Sequence, residues 1–296
     1  MTLLLALVAL AAYFSLPEEW RLRLSSPLPR WLSWSYGLSL SDGLRLAIAT
    51  IVPMLVLAVA IQLLQELASL FVFLLCVIVV IAIFGDSQAQ RMAHRHQAEW
   101  EGSEWPSDDE LLANALSLAR QHQLRSQLNE LFAPLFWLLL ATPIAALGYY
   151  ILRHIALNEQ PQEQMKASQQ MAWMNTKNEM TSATKAGLSA QEESLALACL
   201  RLADWIPSRF LALSFALAGN FTATWAVIRE RLLRAETVPY ELIDAAAEAA
   251  EPISIDPSLT PAVGLATAMH QLDSLLQRAL VVWMVFLAVK TLWPGM

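Results

Sequence analysis

Residues 43–84 read GLRLAIATIVPMLVLAVAIQLLQELASLFVFLLCVIVVIAIF, two apolar runs joined by a few polar residues. From Gly43 to Leu64 the only charge is Arg45, and Leu67–Phe84 carries none. Each run approaches the ~20 apolar residues that a helix needs to cross a bilayer. Ser41 can cap the first helix, and Gln62, Gln65 and Glu66 mark the break before the second. The spacing predicts a transmembrane hairpin.

The rest of the chain agrees with that solvent. Of 296 residues, 56% are hydrophobic and 15% are charged, where an ordinary soluble domain carries about 25% charge. The missing charge implies a surface that faces lipid. Nine glycines and a Leu/Ala-rich composition favour helices over a barrel. The expected fold is therefore all-α: one integral membrane domain over 1–296, with about four to six membrane-embedded segments and amphipathic cytoplasmic helices. A net charge of −7, with no basic stripe interleaved with aromatics, argues against nucleic acid. Cys76 and Cys199 sit in or beside apolar runs and read as small buried hydrophobes.

Met1–Phe14 is apolar without the basic start or small-residue cleavage site of a signal peptide, and reads as a first membrane segment. Residues 15–43 form a polar connector punctuated by Pro17, Pro27 and Pro29, with Trp31, Trp34 and Tyr36 placed as interfacial aromatics. Residues 85–130 form a soluble helical loop, in which Ser107 and Glu110 have capping-box spacing before an amphipathic helix. A third hydrophobic region runs from Phe132 to Ile155 with Pro143 inside it. It is either one kinked spanning helix or a re-entrant hairpin turning at Thr142-Pro143.

A polar loop covers 157–200, leading into the apolar run Trp205–Leu217. Phe221–Leu233 is expected as an amphipathic helix within a cytoplasmic 220–278 segment. The acidic residues from Glu236 to Asp256 meet no base along the chain and read as a solvated face. The last helix passes through Ala279–Leu292, with Trp283 and Trp293 as interfacial anchors. Arginines concentrate in 15–45, 85–130 and 229–278 and avoid the hairpin tip, which places those three loops in the cytoplasm. The 157–193 loop lies outside if 132–155 crosses and inside if it is re-entrant.

Little in the chain resembles a catalytic centre. It has no phosphate-binding glycine loop, nucleophile elbow or zinc-helix motif, and no catalytic residue stands out. His94-Arg95-His96 lacks the spacing of a metal site and reads as solvated histidines. Asp204-Trp205-Ile206-Pro207-Ser208-Arg209 is more informative, because isolated charges at an apolar helix are expensive. Either Asp204 caps the helix while Arg209 reaches headgroups or pairs with it, or Arg209 holds a phosphate or carboxylate. Asn129 and Glu130, ahead of Pro134, either face that same site or cap their own helix.

Three blocks carry a family likeness: Ala133-Pro134-Leu135-Phe136-Trp137, Asp204 to Arg209, and Leu217-Ala218-Gly219. In order and spacing they resemble the CobD/CbiB–AmpE superfamily of bacterial membrane proteins. One branch of it comprises adenosylcobinamide-phosphate synthases, ATP-dependent enzymes that form an amide bond and carry Gly-Arg-Asp-Thr and Ser-Pro-Asn-Ala-Gly motifs. The corresponding loops here read Pro106-Ser107-Asp108-Asp109-Glu110 and Val238-Pro239-Tyr240-Glu241-Leu242, which argues against the synthase activity. The Met1-Thr2-Leu3 start and long first connector are closer to AmpE-like proteins. That resemblance implies a multi-pass protein of the inner membrane linked to a cytoplasmic AmpD-like amidase, cell-wall recycling and β-lactamase induction. It admits a nucleotide or another small anionic ligand and requires no resident cofactor. A divergent ligase is the alternative.

Overall fold

A computed structural model describes residues 2–15, 27–37, 39–67, 69–85, 109–140, 142–159, 195–252 and 261–292. Its regular elements are all helical: α1 (Thr2–Ser15), α2 (Pro27–Tyr36), α3 (Asp42–Leu67), α4 (Ser69–Gly85), α5 (Asp109–Gln127), a π-helical turn (Leu128–Phe132), α6 (Ala133–Leu140), α7 (Pro143–Glu159), α8 (Leu195–Ala218), α9 (Phe221–Ile228), α10 (Pro239–Ala250) and α11 (Pro261–Leu292). Among the described residues there is no strand.

The two apolar runs of the decisive stretch both form helices, α3 and α4, each within a few residues of the expected bounds. Two stretches are long and apolar enough to cross a membrane, Asp42–Leu64 in α3 and Val263–Val289 in α11. Only 11% of the first is buried within the protein, unlike the core helix of a water-soluble fold. The four to six expected segments are not all of that length, for identifiable reasons. At 1.5 Å per residue, the 14 residues of α1 reach roughly 21 Å, short of the ~30 Å hydrocarbon core. Phe71–Phe84 and Pro143–Leu157 are likewise shorter apolar helices.

The third hydrophobic region is a hairpin. An Nη atom of Arg153 lies 3.0 Å from Glu130 Oε1, whereas 23 residues of continuous helix would hold them about 34 Å apart. The chain turns at the point where proline prevents continuation. The Thr142 hydroxyl accepts from the Ala145 amide, and Pro143 occupies the first helical position, which needs no amide hydrogen.

Around this hairpin, α7 packs between α3 and α8, while α8 is flanked by α9, α10 and α11. A Cβ on Gly148 would come within 2.6 Å of the Met54 sulfur, so glycine permits the close approach of α7 to α3. Gly219 plays the same part where α8 ends against α10. A Cβ there would stand 2.6 Å from the Ala250 carbonyl oxygen, which instead accepts from the Asn220 amide.

Several local expectations change. The connector at 15–43 contains α2, because Pro27 and Pro29 fall in a first helical turn where proline is tolerated, and the Trp31 indole donates to the Ala49 carbonyl. The amphipathic helix expected over Phe221–Leu233 stops at Ile228 and continues as turns. The 157–200 loop gives way to helix at Leu195. Trp283 is 6% exposed. It packs against Phe132, Phe136 and Phe210 and donates to Ser214 Oγ, so it anchors the core and not an interface. His94, Arg95, His96, Ser107, Asp256 and Trp293 lie outside the described residues.

The acidic stretch is not wholly solvated. Arg120 of α5 reaches Asp244 at 2.7 Å and Glu248 at 2.9 Å, and Arg278 pairs with Glu251. These bases come from distant segments, so local charge patterning could not disclose them.

Candidate functional site

Asp204 is fully buried in the middle of α8. Its oxygens are held from two directions: Tyr149 of α7 donates to Oδ1 at 2.7 Å, and Tyr240 at the start of α10 donates to Oδ2 at 2.9 Å. Asn129 Oδ1 lies 3.3 Å and 3.4 Å from the same two hydroxyls. Each phenol has one proton, and the shorter contact to Asp204 takes it. Turned over, the Asn129 amide supplies the two N–H groups that the phenolic oxygens can then accept. The Arg125 guanidinium stands 4.6 Å above the Tyr240 ring, a cation–π contact that closes this side.

Next to Asn129 in the chain, Glu130 pairs with Arg153, the two side chains being 4% and 6% exposed, and Ser126 also donates to Glu130 Oε1 at 3.4 Å. The π turn at 128–132 is what puts Asn129 and Glu130 here. All five residues of that turn are buried, so both neighbours are enclosed by the surrounding helices.

Burial pushes the Asp204 carboxyl up from 3.8 to about 6, against the tyrosine hydrogen bonds and the positive charges of Arg125 and Arg153. Burial and the facing carboxylate raise Tyr240, which keeps it a proton donor. Asp204 lies outside the two stretches of spanning length.

The structure thus brings Asn129, Glu130 and Asp204 into one cluster and sends Arg209 elsewhere. Five residues along a helix is roughly 140° around its axis, so Arg209 faces away from Asp204. Its guanidinium lies 4.1 Å over the Trp205 ring. Nε donates to the Leu232 carbonyl, one Nη to the Trp205 carbonyl and Ser208 Oγ, and the other Nη to the Arg234 and Thr237 carbonyls. All five N–H donors of the side chain are matched inside the protein. Burial lowers its pKa from 12.5 to about 10, so it stays charged at neutral pH.

Tyr149, Arg153 and Tyr240 were not singled out by the sequence reading. Arg153 had a usable signal, a charge within an apolar segment, and Tyr149 lies one turn before it on the same helix face. Tyr240 had none, because its partners are 36 and 111 residues away.

Among the described residues no group of three or more His, Cys, Asp or Glu converges as a metal site would require. Comparison of the chain with family models, curated proteins and solved structures finds no match.

Proposed function

We propose that the chain is a multi-pass protein of the bacterial inner membrane that acts as a regulator and not as a ligase. In this reading α3 and α11 cross the bilayer, α4 completes the first hairpin, and α6–α7 enters and returns. Exposure supports lipid as the solvent. The outward face of α8 carries Leu195, Leu202, Ile206, Phe210 and Leu217, while its buried face carries Asp204, Ser208, Arg209 and Ser214. Apart from Arg201 near its start, this helix has its charges inside and apolar side chains outside, which suits hydrocarbon surroundings.

The observation that carries the regulatory reading is the closed hydrogen bonding at Asp204. Both oxygens are engaged by tyrosines from the hairpin and from amphipathic α10, and the Arg209 donors are spent on backbone carbonyls and Ser208 Oγ. The polar groups best suited to a nucleotide instead tie a membrane hairpin to a cytoplasmic helix. That arrangement can transmit a change of position between them. By resemblance to AmpE-like proteins, the message concerns cell-wall recycling and β-lactamase induction, and the partner is an AmpD-like amidase or a small anionic ligand meeting the cytoplasmic loops.

The test uses purified protein in lipid nanodiscs. ATP turnover with carboxylate acceptors should stay at background for wild type and Asp204→Asn alike. In cells, Tyr240→Phe should alter β-lactamase induction without loss of the protein from the membrane. Turnover abolished by Asp204→Asn would establish the ligase instead.

A further inference from the structure

The segment that Arg209 grips is itself unusual. From Arg229 to Arg234 it carries three exposed arginines in six residues, and none forms an ion pair with another described residue. Arg201 of α8 is also exposed, and with Glu236 it lines a cleft of about 230 Å³ beside this segment. Three arginines of the turn therefore stand beside two exposed glutamates, Glu230 and Glu236, on a chain whose net charge is −7. The acids of α10 follow the opposite pattern, since Asp244, Glu248 and Glu251 are paired with Arg120 and Arg278.

Apolar side chains border the same surface. Leu233 is 83% exposed, Leu202 76% and Phe221 51%. Phe221 and Trp225 stack in parallel with centroids 6.1 Å apart, both turned outward on α9. Thr224 and Ile228 hold the other face of that helix against the core. Exposed aromatics and leucines beside the three arginines of the 229–234 turn match the chemistry of a bilayer interface, with acyl chains below and anionic headgroups level with the guanidinium groups.

We infer that the 229–234 turn and α9 form a docking surface for anionic phospholipid headgroups, with Arg209 as its positioning residue. By holding the Leu232, Arg234 and Thr237 carbonyls together, Arg209 fixes the backbone so that the arginine side chains project outward without further ordering. A preordered basic turn loses less entropy on meeting phosphate than a flexible one, and each guanidinium offers a phosphate-matched fork. The inference rests on the membrane reading above and adds the leaflet chemistry recognised.

The experiment starts from the full-length chain in nanodiscs of mixed phosphatidylglycerol and phosphatidylcholine, and reads the retained lipids by native mass spectrometry. Wild type should keep phosphatidylglycerol in preference to phosphatidylcholine. Arg229→Gln/Arg231→Gln/Arg234→Gln should weaken that preference about tenfold or more, since it removes three cationic groups from the level of the anionic headgroups. The matching Arg→Lys triple should retain most of it. Arg209→Lys keeps the charge but loses the fork, and should reduce the preference while leaving the three arginines in place. Brominated phosphatidylglycerol should quench a fluorescence component that disappears in Trp225→Phe. Equal retention by wild type and the Gln triple, or no quenching assignable to Trp225, overturns the inference while the membrane reading stands. A chain that stays monodisperse in buffer without lipid or detergent overturns the membrane reading itself.

Discussion

Replacing Arg153 by methionine keeps most of the buried stem and deletes its charge, which leaves the Glu130 carboxylate in a site where both partners are almost fully enclosed. At the observed 3.0 Å and an effective dielectric constant of about 20, the lost attraction is on the order of 5 kcal/mol. Relaxation of the site reduces this, so the expected destabilisation is about 3–5 kcal/mol, the range found when one member of a buried pair is removed. Glu130→Gln should cost a comparable amount by stranding the guanidinium. The double variant Glu130→Gln/Arg153→Met removes both charges and should be far less damaged than the sum of the singles. Chemical unfolding in a mild detergent, followed by helical circular dichroism across the four-protein cycle, measures the coupling directly. A single Arg153→Met variant within about 0.5 kcal/mol of wild type, the range of an ordinary surface substitution, would refute the buried pair and with it the hairpin geometry.

Three further outcomes follow from the same structure. The Asp204 carboxyl is raised in the folded state from 3.8 to about 6, so the native protein binds a proton more tightly than the unfolded chain does. Stability should rise as pH falls from 7 through 6 toward 4, by up to about 3 kcal/mol from this group, and unfolding curves of Asp204→Asn should lack that component. Arg209→Lys removes the fork that holds three backbone carbonyls, and limited trypsin digestion should cut after Arg229, Arg231 or Arg234 several-fold faster; an unchanged rate would contradict the clasp. Gly219→Ala forces a Cβ against the Ala250 carbonyl oxygen, where backbone must move. A loss of about 1–3 kcal/mol in thermal unfolding is expected, and an unaffected transition would show that the α8–α10 approach is looser than described.

Helix type and the first hairpin were legible because both follow from local composition. A run such as Leu67–Phe84 has one stable form in hydrocarbon, whatever it packs against. The hairpin at Thr142-Pro143 was visible as one of two alternatives, and its resolution required a contact across 23 residues. Fine boundaries fared less well where local chemistry is permissive. Proline reads as a breaker over 27–29, yet it is compatible with the first turn of α2. Trp283 reads as an interfacial aromatic by position, but its indole found Ser214.

Asp204 was legible as a residue of interest and Arg209 was legible for the wrong companion. Two opposite charges in one short motif invite pairing, but a helix separates them by angle, and each then takes partners from other elements. Asp204 needs proton donors and obtains them from tyrosines on two helices, whereas Arg209 needs acceptors and finds backbone carbonyls of its own helix and of the following turn. The same cost of burying charge therefore produces two structures from one hexapeptide. One is a polar link between the hairpin and α10, and the other a clasp that shapes a basic turn. Separating them by mutation is possible because they share no hydrogen bond: Tyr240→Phe touches only the first and Arg209→Lys only the second. If both substitutions changed headgroup preference equally, the two halves of the motif would have to be coupled through α8.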